Sequence, residues 1–155
     1  MIEIERKYLV KNLEFKSFSR EVKTITQGYI NDDPNKSVRI RLIENNAYIT
    51  IKGKPLNDGL SRYEWEKKIS LDEGLDLLKL CKDQLISKKR YYINFKEFII
   101  EVDEFLDKNK GLYIAEIELN SLNQKLRLPT WIGEEVTGIN KYYNLNLISR
   151  PFTKW

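Results

Sequence analysis

The sequence predicts a mainly β protein of the α+β type, whose strands close into a barrel with a charged interior. Three observations support this fold class: like charges recur in pairs spaced i, i+2, apolar residues alternate with them, and turn-forming residues separate the segments. Alternate side chains of a strand point to opposite faces, so each pair lies on one face and the apolar side chains on the other. The pairs are Glu3/Glu5, Arg39/Arg41, Glu64/Glu66, Lys88/Arg90, Glu101/Asp103 and Glu116/Glu118.

Eight segments alternate polar with apolar residues or are enriched in β-branched and aromatic residues, as strands are. Residues 44–46, 54–59, 94–97 and 107–111, which lie between them, have the composition of hairpin turns and loops. Eight short strands joined mostly by hairpins predict an antiparallel barrel or sandwich. The predicted strands cover residues 2–9, 23–30, 37–43, 46–52, 61–69, 87–94, 98–105 and 112–120.

One helix is predicted over residues 72–85, with Asp72 as its N-cap and an apolar stripe that includes Cys81. If the charged faces of the strands turn inward, their apolar faces look outward and need a cover. We expect this helix and the aromatic C-terminal segment to provide it. Cys81 is interpreted as a core thiol and not as a nucleophile.

Other helical signals are weaker. A second helix is predicted after Pro129, where Glu134 and Glu135 suit a first turn. A short helix is predicted around residues 140–147. Residues 10–22 match neither a helix nor a strand pattern.

The chain of 155 residues is long enough for a core of its own, and we expect residues 1–155 to form a single domain. The 27 basic and 23 acidic residues leave a net charge of +4, which permits an anionic partner without requiring nucleic acid. No apolar stretch approaches the length of a transmembrane helix, and the first residues lack the features of a signal peptide. We therefore expect a cytoplasmic location, no nucleic-acid or membrane partner, and a monomer or homodimer.

Histidine is absent, which removes the commonest general base and the commonest zinc ligand. Ser-His-Asp and Cys-His catalysis are therefore excluded, and the single cysteine allows no intramolecular disulfide. Catalysis by this chain must use carboxylates, Lys, Arg, Tyr or a metal held by oxygen ligands. Acid pairs suit a divalent metal, and base pairs suit phosphate.

A count of the inward charges links metal binding to phosphate binding. Eight acids, which are the four acid pairs, face six bases, which are the two base pairs with Lys7 and Lys52, and this leaves a balance of −2. One or two divalent cations bring the balance to 0 or +2, so the loaded interior would accept a polyanion that the empty one repels. Arg62, Glu64, Glu66 and Lys68 alternate on one strand, which we interpret as an intrastrand salt-bridge ladder.

In this order, the motifs resemble those of the CYTH domain, also called the triphosphate tunnel metalloenzyme family. The resemblance covers essentially the whole chain, and the C-terminal run is similar to that of the short bacterial branch of the family. The matching motifs are Glu3-x-Glu5-x-Lys7, Arg39-x-Arg41, Thr50-Ile51-Lys52-Gly53, residues 100–105 and 115–119, the run 129–138, Tyr143-Asn144 and Pro151-Phe152.

This resemblance implies an eight-stranded antiparallel closed β-barrel whose lumen binds a triphosphate, with Mg²⁺ or Mn²⁺ as the cofactor. It implies metal binding by Glu3, Glu5, Glu116 and Glu118, with Asp103 as a contributor. It implies phosphate binding by Lys7, Arg39, Arg41, Lys52, Lys88 and Arg90, with Lys141 closing the site. Glu3, Glu5, Lys7, Glu116 and Glu118 would be the catalytic residues.

The leading hypothesis is hydrolysis of inorganic tripolyphosphate, a small-molecule substrate, to pyrophosphate and phosphate. One alternative is a class IV-type adenylyl cyclase or a thiamine triphosphatase, which needs a pocket for an organic group. Another is a non-catalytic module that binds polyphosphate or an RNA end, but intact acid pairs argue against it. The aromatic residues considered for an organic pocket are Tyr29, Tyr48, Tyr63, Trp65 and Trp155.

Overall fold

The computed structural model describes residues 1–31, 33 and 35–155, and within them strands dominate. All eight predicted strands are present, although β2 begins four residues earlier than predicted and β6 is extended at both ends. The strands are β1 (Ile2–Val10), β2 (Ser19–Tyr29), β3 (Ser37–Ile43), β4 (Asn46–Lys52), β5 (Ser61–Ile69), β6 (Leu85–Phe95), β7 (Phe98–Phe105), β8 (Tyr113–Glu118) and β9 (Ile132–Glu135).

Eight of these strands form a closed ring in which all neighbours are antiparallel. The order is β1-β5-β4-β3-β2-β6-β7-β8 and back to β1. Strand β1 closes the ring, because residues 2–4 pair with β5 and residues 5–9 pair with β8. The prediction of an eight-stranded antiparallel closed barrel is therefore confirmed.

The ninth strand corrects one prediction. Residues 132–135 form a strand, whereas a helix was predicted after Pro129. Tyr8 of β1 pairs with Ala115 on one edge and with Glu135 on the other. Strand β9 therefore pairs with the same edge of β1 as β5 does, but further along the strand. Pairing with this free edge outweighs the weak helical signal of the acidic residues.

Helix α2 (Leu71–Cys81) begins earlier than predicted. Its N-cap is Ser70 and not Asp72, because the Ser70 hydroxyl accepts a hydrogen bond from the Glu73 amide at 3.2 Å. The Glu73 carboxylate in turn accepts from the Ser70 amide at 2.8 Å, which completes a capping box. The helix ends before Lys82, whose φ of 44° leaves the helical region.

Helix α2 packs closely on the outside of the barrel. A Cβ atom at Gly74 would lie 2.4 Å from the Cβ of Ala47 in β4, so only glycine fits there. At the other end Cys81 is buried and packs on Gly28 of β2, as predicted for a core thiol. The helix thus covers part of the outward apolar surface.

One further helix adds to this cover, and a third lies at the end of the barrel. Helix α1 (Phe15–Phe18) buries Phe15 beside Trp131 on the outer face of the barrel. Helix α3 (Asn144–Ser149) confirms in part the helix predicted around residues 140–147.

The charged interior ends in an apolar layer. Ile86, Phe105 and Ile114 share the inward face with the charged residues of their strands, and Leu147 of α3 packs among them. One end of the interior is thus filled by side chains.

Among the described residues, the structure has no helix that is both long enough and apolar enough to cross a membrane.

Candidate active site: a charged tunnel

A cavity of about 650 Å³ lies inside the barrel, and we refer to it as the tunnel. Strand register explains its lining, because antiparallel partners share a face. Lys7 pairs with Glu116, Glu5 with Glu118, and Arg90 with Asp103, so acid and base pairs on neighbouring strands meet. The predicted site residues that line the tunnel are Glu3, Glu5, Lys7, Arg39, Arg41, Lys52, Lys88, Arg90, Glu116 and Glu118.

Lys7 and Glu116 form a buried ion pair in the tunnel wall. The ammonium group of Lys7 also lies 3.1 Å from Glu5. Burial lowers the pKa of Lys7, but Glu116 and Glu5 outweigh it, so the pKa is raised overall. Burial raises the pKa of Glu116, but Lys7 and Arg90 hold it well below its ordinary value. Both groups are therefore charged across the neutral pH range.

Arg90 is held by three carboxylates. Its Nε and Nη2 donate to Asp103 at 2.6 and 2.7 Å, and Nη2 also donates to Glu116 at 2.7 Å. Nη1 donates to Glu101. This guanidinium is fixed before any ligand binds.

Asp103 lies behind the tunnel wall. It is fully buried, and its carboxylate accepts from the Lys88 ammonium at 2.5 Å as well as from Arg90. Burial raises the pKa of Asp103, but Arg90 and Lys88 lower it below the ordinary value. Asp103, a predicted metal ligand, is thus placed where it orients two tunnel cations.

The wall formed by β3 to β5 carries more positive than negative charge. The guanidinium of Arg41 donates to Glu66 at 2.9 Å, and that of Arg39 reaches the same carboxylate at 3.5 Å. Arg39 also donates to Thr50 at 3.1 Å. Burial, and then the neighbouring Arg39, lower the pKa of Arg41. Two guanidiniums that share one carboxylate retain capacity for an anion.

Lys52 lies at the border between the basic and acidic walls. Its ammonium donates to Glu3 at 2.8 Å and forms an ion pair with Glu64. Burial, and then the nearby Arg39 and Arg62, lower the pKa of Lys52. Lys52 thus neutralises two acids while facing other cations.

Glu118 is a tunnel carboxylate for which the structure shows no ion-pair or hydrogen-bond partner among the described residues. Burial raises its pKa, and the carboxylates of Glu3, Glu101 and Glu5 raise it further. Glu101 also has a raised pKa, because burial and Glu116 outweigh the opposing effect of Arg90. Negative charge therefore accumulates on this side of the tunnel.

The acidic side has the donor chemistry for Mg²⁺ or Mn²⁺, which prefer carboxylate oxygens. Across the described ranges, no three acidic or cysteine side chains converge as a ready-made metal cluster. The reason is visible in the contacts: Glu3, Glu5 and Glu116 turn toward Lys52, Arg62 and Lys7. A divalent cation would nevertheless relieve the repulsion between Glu118 and its neighbouring carboxylates, so the residues fit such an ion.

Arg62 was assigned to an intrastrand ladder, and that assignment is wrong. It donates across to Glu3 and Glu5 of β1, while Glu64 and Glu66 of its own strand pair with other strands. Arg62 and Arg20 both line the tunnel, and with Glu97 they bring its lining, counted over the described residues, to eight acids and eight bases. The lining is therefore balanced, whereas the sequence predicted −2. Arg62 lies on the same face of β5 as the predicted acid pair of that strand. This alternation is the sequence signal that could have identified Arg62 as a tunnel residue.

A second cavity of about 400 Å³ adjoins the tunnel and shares Lys7, Arg39, Lys52 and Arg62 with it. Tyr29 also lines this cavity. The second cavity therefore extends the basic side of the tunnel.

Lys141 lies apart from the other predicted site residues. It is exposed, and its ammonium lies 4.5 Å from the ring centre of Trp155 and 5.1 Å from that of Tyr142. It lines neither the tunnel nor the second cavity. The structure thus gives Lys141 a cation–π contact on the surface.

Comparison with known proteins agrees with the fold. The chain matches the CYTH domain family over residues 1–150. An inorganic triphosphatase of Acetivibrio thermocellus is 44% identical over 151 residues, which cover 97% of this chain and 95% of that protein. An inorganic triphosphatase of Nitrosomonas europaea is 31% identical over 149 residues, with 93% and 95% coverage.

Solved structures give the same result. The crystal structure of an inorganic triphosphatase superposes with a TM-score of 0.65 at 27% identity, covering 94% of this chain and 97% of that one. The family match spans nearly the whole chain, the relatives align over almost their full lengths, and the barrel has the charged interior that the motifs predicted. The chain therefore belongs to the CYTH domain family.

Proposed function

We propose that this chain hydrolyses inorganic tripolyphosphate to pyrophosphate and phosphate, with Mg²⁺ or Mn²⁺ as cofactor. The observation that carries the proposal is the enclosed tunnel, in which a basic wall faces an acidic one. A triphosphate chain presents negative oxygens along its whole length and so matches several cations at once. The inorganic triphosphatases at 44% and 31% identity support the choice of substrate.

The basic wall would bind and orient the phosphates. Arg39 and Arg41 share one carboxylate, so each keeps N–H groups for phosphate oxygens. Planar guanidiniums bind phosphate through two parallel hydrogen bonds, which fixes orientation as well as position.

Lys88 and Arg90 would stabilise the charge that develops on the transferred phosphoryl group. Asp103 holds both side chains, so they need little rearrangement when the reaction occurs. Preorganised charges in a site shielded from water are worth more than the same charges in solvent.

The acidic wall would hold the metal through Glu3, Glu5, Glu116 and Glu118. A bound divalent cation supplies charge neutralisation and lowers the pKa of an attacking water. Glu118 faces other carboxylates and has no cationic partner among the described residues. A bound cation would therefore relieve more repulsion at Glu118 than at the other three carboxylates.

The tunnel lining favours an inorganic substrate over one with an organic group. Of the aromatic residues considered from the sequence, Tyr29 lines the second cavity among basic side chains, whereas Trp155 packs against Lys141. Tyr63 and Trp65 are both more than two-fifths exposed. The ring centre of Tyr48 lies 6.0 Å from the guanidinium carbon of Arg41, and Tyr92 and Phe98 line the tunnel. Most of that lining is charged, however, and this favours an inorganic chain over a base or a thiazolium ring.

A substrate panel tests the proposal. The purified chain is assayed with tripolyphosphate, ATP, thiamine triphosphate and pyrophosphate, each with Mg²⁺, Mn²⁺ or EDTA. We expect tripolyphosphate to be hydrolysed much faster than ATP, and EDTA to stop the reaction. Comparable ATP turnover or formation of cyclic AMP would favour a cyclase, and tight binding without turnover would favour a binding module.

A further inference from the structure

Arg62 lies where the two walls of the tunnel meet. It is on β5, directly across from Glu3 of β1, and its side chain is 21% exposed. It lines both the tunnel and the adjoining second cavity. The guanidinium of Arg62 therefore faces both the acidic wall of the tunnel and the second cavity, which is lined by basic side chains.

In the present arrangement Arg62 is one of the counter-ions of two predicted metal ligands, together with Lys52, which lies 2.8 Å from Glu3, and Lys7, which lies 3.1 Å from Glu5. Its Nε donates to Glu3 at 3.2 Å and its Nη2 to Glu5 at 3.4 Å. Burial lowers the pKa of Arg62, but Glu5 and Glu3 raise it overall. Glu3 and Glu5 stand two residues apart on one face, about 7 Å along the strand, so they need a positive charge between them.

The lengths of these contacts indicate that Arg62 is held loosely. Charge-assisted N–H···O hydrogen bonds are normally about 2.7–2.9 Å long. The contacts of Arg90 with Asp103, at 2.6 and 2.7 Å, are as short as that range or shorter, whereas both contacts of Arg62 are longer. Arg90 is therefore a fixed cation of the tunnel, and Arg62 is an exchangeable one.

We propose that Arg62 is a stand-in for the divalent cation: it neutralises Glu3 and Glu5 in the unloaded tunnel and transfers to the triphosphate when a metal takes these carboxylates. The proposal rests on the proposed function for its second half only. Once released, the guanidinium lies beside Lys7, Arg39 and Lys52, which repel it unless an anion is present. Metal and triphosphate would thus enter as a coupled pair.

The proposal requires two effects of opposite sign when Arg62 is removed. Without triphosphate, divalent cations should bind more tightly, because one of the cations that compete with them for Glu3 and Glu5 is gone. With metal present, triphosphate should bind more weakly, because one phosphate-binding cation is gone. A purely structural role would weaken both, since a damaged tunnel holds neither ligand well.

The test uses Arg62→Gln in the full chain, with Mn²⁺ alone as the first probe. Free Mn²⁺ is measured by its electron paramagnetic resonance signal in a titration without triphosphate. We expect roughly threefold or greater tightening of Mn²⁺ binding. In a second titration, with Mn²⁺ saturating, the affinity for a non-hydrolysable imido analogue of tripolyphosphate, measured by calorimetry, should fall about tenfold.

Arg6→Gln is the matched control. Arg6 is on β1 between Glu5 and Lys7, but its side chain pairs with Glu135 outside the tunnel. Arg6→Gln removes the same charge from the neighbouring strand β1, so it should leave both affinities within about twofold. If Arg62→Gln folds poorly, Arg62→Lys is used as a second variant. Because it keeps the charge, its Mn²⁺ affinity should stay near the wild-type value.

The outcomes separate the two proposals. Unchanged or weaker Mn²⁺ binding by a folded Arg62→Gln variant would overturn the stand-in role. An equal gain in Arg6→Gln would overturn it as well, because the effect would then be one of general charge. If wild-type protein binds but does not hydrolyse tripolyphosphate, the proposed function fails, while the two opposite shifts would still support the role of Arg62.

Discussion

Arg90 and Asp103 face each other across β6 and β7 and are joined by two hydrogen bonds of 2.6 and 2.7 Å, with Asp103 fully buried. The planar guanidinium and the carboxylate meet edge to edge, which fixes the orientation of both. Lys88 occupies the same carboxylate at 2.5 Å. Two of the cations predicted to contact substrate are thus oriented by an acid that the substrate would not touch.

Asp103→Asn should be strongly destabilising. The amide keeps the shape of the side chain but leaves Lys88 and Arg90 without their shared buried charge, and breaking a buried pair typically costs about 3–5 kcal/mol. Urea unfolding measures the loss. Asp76→Asn is the control, because the Asp76–Lys79 pair is exposed to solvent and should contribute little to stability. Equal stability of the two variants would contradict this account.

Glu118→Gln should remove metal-dependent turnover and yet melt at a higher temperature than the wild type at pH 7. Burial and the carboxylates of Glu3, Glu101 and Glu5 raise the pKa of Glu118, so its charged form destabilises the fold. A group with a raised pKa favours folding below its ordinary value, here 4.5, and loses that contribution as pH rises through the folded-state value.

The difference in melting temperature should therefore shrink as the pH falls toward 4. Differential scanning calorimetry in EDTA between pH 4 and 7 checks the sign. Glu116→Gln is the contrasting variant, because Glu116 pairs with Lys7 and Arg90 and its loss should lower the melting temperature. A Glu118→Gln variant that melts lower than wild type, or turns over at the wild-type rate with metal, would refute the prediction.

Arg39→Ala and Arg41→Ala should weaken tripolyphosphate binding more than they reduce stability. Each charge-assisted phosphate contact is worth about 1.5–3 kcal/mol, so one loss should cost at least roughly tenfold in affinity. The ligand-free variants should melt near the wild-type temperature or above it, because the two guanidiniums share Glu66. Thermal shift with and without tripolyphosphate and metal measures both quantities. Early melting with a full ligand-induced shift would assign the arginines to the scaffold.

Triphosphate binding should weaken as the pH rises above 8. Burial lowers the pKa of Lys88 to about 8, so above that value the ammonium loses the charge that attracts phosphate. A bound polyanion should restore the proton, and binding at pH 9 should therefore be accompanied by proton uptake. Calorimetry at pH 9 in two buffers of different ionisation enthalpy measures the uptake, and Lys88→Met should abolish it. Equal apparent enthalpies in the two buffers with wild-type protein would contradict the prediction.

The sequence predicted what depends on local periodicity. Alternation placed Glu3 and Glu5 on one face of β1 and Arg39 and Arg41 on one face of β3, and closure of the barrel then turned those faces inward. The same two-residue period predicts that these segments are strands, because a shift of one residue in register would turn the whole apolar face toward solvent.

The partners of these side chains could not be predicted, because they depend on which strands become neighbours. Arg62 bonds to Glu3, 59 residues earlier, and so escaped an interpretation based on its own strand. Strand β9 escaped because its pairing depends on a free edge of β1 that exists only in the closed barrel. The capping box of α2 was different: Ser70 and Glu73 stand at the diagnostic spacing and were a readable signal.

The closure of the barrel by β1 sets the order in which the chain can acquire activity. Lys7 and Glu116 are 109 residues apart, so β1 leaves the ribosome long before the strand with which it pairs. Pairings between distant segments form slowly, and an unpaired strand edge is prone to aggregation while it waits. Glu3, Glu5 and Lys7 consequently enter the site only when the ring is complete. A nascent or partly unfolded chain would lack one side of the tunnel, so folding itself would act as the checkpoint before any triphosphate is engaged.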